Sequence, residues 1–138
     1  MPPSAKLQQY AILDRVARAV GVWPIEAYEF VHLGLAHTVN SLYGAKTLRS
    51  APRQPRHVTG QELCWGLRNY ALHRWGMLAL PVLNKWDVYS TLDFGRIVFS
   101  LVEHGLLAVT PDDSLEDFRG VYDFKTALAR GYRISPQI

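Results

Sequence analysis

Cysteine is almost missing from this 138-residue chain, where Cys64 stands alone. A lone thiol closes no internal disulfide, so a reducing compartment is expected, and the cytoplasm is the assignment. Long apolar runs are missing too. The longest, Trp75 to Leu83, falls far short of the roughly 20 residues that a membrane span requires. No targeting signal is expected either, because Met1-Pro2-Pro3-Ser4 leads straight into a helical pattern without an apolar h-region. Neither an internal repeat nor a low-complexity tract is visible, which argues against solenoids and against a disordered linker.

The familiar catalytic signatures are also lacking. The chain has no Gly-x-Ser-x-Gly elbow, no Gly-x-Gly-x-x-Gly, no phosphate-cradling glycine loop and no Cys-x-x-Cys pair. Cys64 sits early in a helical stretch beside Trp65, where a free cysteine behaves as a small hydrophobe. Asp112 and Asp113 form a carboxylate pair, but in a turn, where capping accounts for them. Glu29-Phe30-Val31-His32 has the Glu-x-x-His spacing of di-iron bundles. Such centres need that motif twice with two further glutamates, and here it occurs once. His37, five residues beyond His32, is turned away from the same helix face. Catalytic residues, metal ligands and cofactors are therefore left unassigned.

What is present is an ordinary globular balance. Hydrophobic residues make up 49% and charged residues 20%, enough apolar material for a real core without the polarity of a disordered chain. The length suits one domain spanning residues 1–138. Helical periodicity dominates. A first helix reads from about Lys6 to Val20, with Tyr10, Leu13, Ala17 and Val20 on its inner face and Gly21 as its stop. Pro24 opens a second, carrying Ile25, Tyr28, Leu35, Val39 and Leu42 and ending near Tyr43-Gly44. Pro52 and Pro55 predict an exposed loop over Ala45 to His57. Thr59-Gly60-Gln61-Glu62 is a capping box that starts a helix running to about Trp75, with Leu63, Leu67, Tyr70 and Ala71 turned inward. A short helix follows at Pro81 to Lys85. A second capping box, Ser90-Thr91-Leu92-Asp93, opens the clearest helix, with Phe94, Ile97, Val98, Leu101 and Val102 on one face and Gly105 at its close. Leu106 to Val109 reads as a short strand before the turn Thr110-Pro111-Asp112-Asp113. Ser114 to Asp117 caps once more, and a last helix covers Asp123 to Arg130.

The fold class expected is mainly α, a compact helical domain of about six helices. From Leu78 to Asp113 the order of short helix, turn, longer helix and strand resembles the core of a winged helix-turn-helix, with a small β-hairpin as its wing. Two packed core helices account for the same rhythm and are the preferred reading. The outer face of the longer helix offers Asp93, Arg96, Ser100, Glu103 and His104, poor equipment against phosphates.

Charge is unevenly spread behind the net +3. Residues 1–86 hold ten Lys/Arg against four Asp/Glu, a balance of +6. Residues 87–138 hold five against eight, a balance of −3. Lys46, Arg49, Arg53 and Arg56, joined by Arg68 and Arg74, are the candidate binding residues for phosphate or an acidic protein surface. Trp65 and Trp75 follow on the next helix, where base stacking competes with core burial.

Four runs carry a family resemblance. His57-Val58-Thr59-Gly60-Gln61-Glu62-Leu63, Val82-Leu83-Asn84-Lys85-Trp86, Asp93-Phe94-Gly95-Arg96-Ile97-Val98-Phe99 and Asp117-Phe118-Arg119-Gly120-Val121-Tyr122-Asp123-Phe124 together resemble the uncharacterised "Minf-type" family of short bacterial proteins. The resemblance covers about Ala27 to Leu128 and implies a stand-alone cytoplasmic protein, with no activity to carry over. Asp87 stands where it implies a glycine. The leading functional reading is a non-catalytic protein-interaction or regulatory module, with a protein partner preferred to nucleic acid, and with no membrane and no disulfide. The alternative is a nucleic-acid-associated protein using the basic loop 45–57 and the helix that follows it.

Overall fold

A computed structural model describes residues 5–50 and 57–129. They are mainly helical, as the periodicity predicts. Helix α1 spans Ala5–Val20 and α2 spans Ile25–Ser50, followed by α3 at Gly60–Trp75. A single 3-10 turn, Gly76–Leu78, leads into α4 at Ala79–Lys85, and α5 covers Thr91–Glu103. A second 3-10 turn at Leu115–Phe118 and a one-turn α6 at Phe124–Ala127 complete the described chain. None of the described helices is long and apolar enough to cross a membrane.

Helix α3 is the axis of the fold. Its capping box forms as expected: Glu62 N–H donates to Thr59 Oγ1 at 3.1 Å and Thr59 N–H donates to Glu62 Oε1 at 2.9 Å. Leu63, Leu67 and Ala71 are buried, but so are Gly60, Cys64, Gly66, Arg68 and Asn69. Burial on several sides means α3 is covered over most of its girth: α2 lies against one side, and α5 and the C-terminal segment cover others, leaving Gln61, His73 and Arg74 exposed. Against α2 the approach is close enough to require glycine. A Cβ on Gly66 would stand 1.9 Å from Thr38 Oγ1, and one on Gly34 would stand 2.2 Å from a Leu67 methyl. Thr38 fits there because its buried hydroxyl donates back to Gly34 O at 2.7 Å.

Helix α5 buries Phe94, Ile97, Val98 and Leu101, as its periodicity predicts. Its second capping box does not form. Asp93 Oδ2 accepts from Tyr89 N–H at 2.8 Å instead, and Thr91 sends its hydroxyl to Phe118 O at 2.6 Å. Asp87 has φ 61, the left-handed geometry that explains why glycine would suit this position. It is held there by Trp23 Nε1–H donating to Asp87 O at 3.1 Å and by Tyr89 Oη–H donating to Asp87 Oδ1 at 3.0 Å.

Several expectations are corrected. The wing and its β-hairpin are not formed, since no strand occurs among the described residues. The cause lies at the end of α5. Gly105 has φ 76 and Leu106 N–H donates to Leu101 O at 2.9 Å, a Schellman closure that turns the chain back. The next turn already closes at Thr110, whose N–H donates to Asp113 Oδ2 at 2.7 Å, so too few residues lie between the two turns to pair as a hairpin. The loop expected from residue 45 is not formed over residues 45–50, and residues 51–56 lie outside the described residues. Gly44 breaks helical geometry with φ 60, but helix resumes through residue 50. Tyr10 is 48% exposed rather than turned inward. Helix α6 is one turn long and ends at Ala127 rather than running on to Arg130, which lies outside the described residues.

Candidate functional site: an apolar cleft beside the start of helix α3

Residues 107–129 wrap the outer side of α3 and α5, and their attachment shapes the site. Phe118 is the pivot. It rests on two glycines, since a Cβ on Gly95 would come within 2.6 Å of its ring and one on Gly60 within 3.0 Å. The Thr91 hydroxyl fixes its carbonyl and in turn accepts from Val121 N–H at 3.2 Å. Farther along, Tyr122 Oη–H donates to Cys64 O at 2.6 Å and Arg68 Nε–H donates to Ala127 O at 3.2 Å. Both bonds end on backbone carbonyls, a mid-helix one in α3 that has a second lone pair to offer and one at the end of α6, so each ties the segment to the helices.

Between this segment, α2, the start of α3 and α5 lies a cleft of about 160 Å³. Leu35, Val39, Leu63, Val98, Phe99 and Phe118 make it apolar, and Leu107 to Val109 form one lip. The rim is polar. His57 Nε2 donates to Asp113 Oδ1 at 3.1 Å, while Tyr43 Oη–H holds the His57 carbonyl at 2.6 Å. Asp117 also faces the cleft, and its carboxylate accepts from Ser114 N–H at 3.0 Å in the third capping turn. The volume decides what can enter. It matches a cavity for one benzene-sized group, around 150 Å³, and is well below the roughly 300–1,000 Å³ of clefts that enclose whole cofactors or drug-sized ligands.

The rim resembles half of a catalytic set and lacks the other half. His57 and Asp113 are paired, but the nearest hydroxyl in the lining, Thr59, is engaged in capping α3. Cys64 is fully buried and its thiol is pushed up to about 12 by desolvation, so it is not an activated nucleophile. Among the described residues no three or more of His, Cys, Asp and Glu come together as a metal cage. Glu29 and His32 do not assemble further, and His32 meets Gln9 of α1.

Of the six candidate binding residues, Arg68 and Arg74 have described side chains. Arg68 is 1% exposed; besides Ala127 O it donates to Asn69 Oδ1 at 3.1 Å and lies over the Trp65 ring. It anchors the fold, which corrects its assignment as a binding residue. Arg74 is exposed and lies 4.9 Å from the Trp75 ring centroid and 5.7 Å from that of Tyr70. Lys46 and Arg49 belong to the last turns of α2, and Arg53 and Arg56 lie outside the described residues. Trp65 is half-buried against Tyr122, rings 4.8 Å apart, and Trp75 is packed on Phe30 and Trp86. Neither tryptophan is a free stacking platform.

One grouping has no counterpart in the sequence reading. His37 of α2 lies against Tyr70 of α3, ring centroids 5.2 Å apart, and 6.1 Å from His73 one turn farther along α3. Desolvation, then the neighbouring His73, lowers the His37 pKa. The cleft likewise depends on contacts between distant segments. Its sequence signal was limited to the turn residues Asp113 and Asp117.

The chain matches no family model, no curated protein and no solved structure.

Proposed function

We propose that the protein is a non-catalytic interaction module whose cleft receives one apolar side chain of a partner protein. The observation that carries this reading is the match between a volume of about 160 Å³ and a lining that is apolar at its floor and carboxylate-bearing at its rim. A pocket of that size accepts an anchor of the Leu, Met or Phe class, and a few residues seated in well-packed, desolvated pockets carry most of the energy of an interface. Asp113 and Asp117 at the mouth, with Asp112 and Glu116 next to them in sequence, favour an anchor flanked by Lys or Arg. Helices and a pinned segment hold the lining in place, so little ordering entropy opposes binding.

The nucleic-acid reading loses the support it drew from α3. Of the two arginines that helix was to contribute, Arg68 is buried, and both tryptophans are committed to packing.

A peptide-display selection against the full chain tests the proposal. Selected peptides should share one bulky apolar residue next to Lys or Arg. Ala108→Phe, which narrows the cleft from its exposed lip, should weaken a selected peptide at least tenfold while leaving the helical spectrum unchanged. Peptides without that pattern, or binding that Ala108→Phe leaves intact, would exclude the cleft as the docking site.

A further inference from the structure

We propose that His37 and His73 form an open two-imidazole site for a divalent transition-metal ion, linking α2 to α3. The placement comes from the helix crossing. Gly34, Thr38 and Gly66 bring the two backbones into close contact, and the rings of His37 and His73 stand beside that contact. With metal–nitrogen distances of ~2.0–2.1 Å, two imidazoles sharing one ion have centroids no more than about 6.3 Å apart. The observed 6.1 Å lies inside that limit, with the ring planes 58° apart. A tetrahedral pair has centroids about 5.2 Å apart, so the exposed His73 side chain closes on His37 by roughly 1 Å when the ion binds. His37 is the fixed member, lying against Tyr70.

The donor set specifies the ion class. Two neutral imidazoles suit Cu(II), Ni(II) and Zn(II) and discriminate against Mg(II) and Ca(II), which want oxygen ligands. Water or a donor from a partner molecule completes the coordination, as in sites that keep open positions. This site lies apart from the cleft, whose lining includes neither histidine, so the two proposals stand or fall independently.

Titration of the full chain with Cu(II) and Zn(II) chloride, followed by calorimetry and by the melting temperature, provides the test. The expected result is one site of highest affinity, with Cu(II) bound more tightly than Zn(II) and Mg(II) without effect. His37→Gln and His73→Gln should each weaken that site at least tenfold and abolish the metal-induced rise in melting temperature. His104→Gln, at the end of α5, should change neither. Electron paramagnetic resonance of the Cu(II) complex should show two equivalent imidazole nitrogens, reduced to one in either variant. Far-UV spectra and metal-free melting curves separate misfolding from loss of ligands. If the tightest site survives in the folded double variant, or no site is seen at micromolar Cu(II), the proposal is wrong.

Discussion

Cys64 and Arg68 lie one helical turn apart on α3, and both side chains are buried for structural reasons. The thiol is desolvated on all sides, and a pKa pushed up to about 12 leaves on the order of one thiolate in ten thousand at pH 8. Native protein should therefore resist a thiol-specific reagent at pH 8, while protein in denaturant reacts at the rate of a free cysteine. Labelling kinetics with and without denaturant measure this directly; comparable native and denatured rates would mean the thiol is accessible. Arg68 teaches a different lesson. Its charge looks like surface equipment in the sequence because its acceptor, Ala127 O, is 59 residues away. A buried guanidinium is tolerable only with its hydrogen bonds made, and no local pattern around residue 68 announces a partner so distant. The same holds for His37 and His73, which no sequence spacing relates.

At the scale of elements, what the sequence revealed was what short-range chemistry decides. The α3 capping box depends on residues three apart, and Thr59 and Glu62 form it. The stripe Phe94, Ile97, Val98 and Leu101 needs only helical periodicity, and all four are core residues. Leu106 to Val109 failed as a strand because strand identity depends on a ladder partner, and the Schellman turn after α5 aims the chain away from one. Ser90-Thr91-Leu92-Asp93 failed as a capping box because two of its side chains found other partners, Asp93 at Tyr89 N–H and Thr91 at Phe118 O. Glycine marked the closest helix contact without saying which helix it touched. The Gly66 position can be probed directly: Gly66→Ala places a Cβ 1.9 Å from Thr38 Oγ1, closer than any real contact. Such overpacking should cost about 1–3 kcal/mol, even though alanine is the better helix former. Chemical denaturation should show a lower midpoint, and Thr38→Ala in the same chain should recover part of the loss. A variant as stable as the parent would show that α2 and α3 are not packed on this glycine.

For the molecule as a whole, the segment after α5 decides whether the helices have a common core. It contributes Phe118, Phe124 and Leu128, each at most 5% exposed, to the same cluster that holds Leu67 and Ile97. Burying three such side chains contributes roughly 5–9 kcal/mol. That is comparable with the whole net stability of a domain, about 5–15 kcal/mol. The segment also supplies hydrogen bonds to Thr91, Cys64 and Arg68, so losing it strands buried groups as well as baring apolar surface. A chain ending at Gly105 should keep much of its far-UV helical signal, because α2, α3 and α5 retain their local patterns. It should lose the fixed aromatic environment seen in near-UV circular dichroism, because Phe94 loses Phe124 and Trp65 loses Tyr122. It should also bind a hydrophobic dye strongly, the behaviour of a collapsed state without specific packing. Retention of a sharp near-UV spectrum and a cooperative melt would place the core in α1 to α5 alone. The cleft would disappear in the shortened chain in either case, since Leu107 to Val109, Asp113, Asp117 and Phe118 form one of its walls. Partner binding through the cleft should therefore depend on the segment even under conditions where the remaining helices still fold.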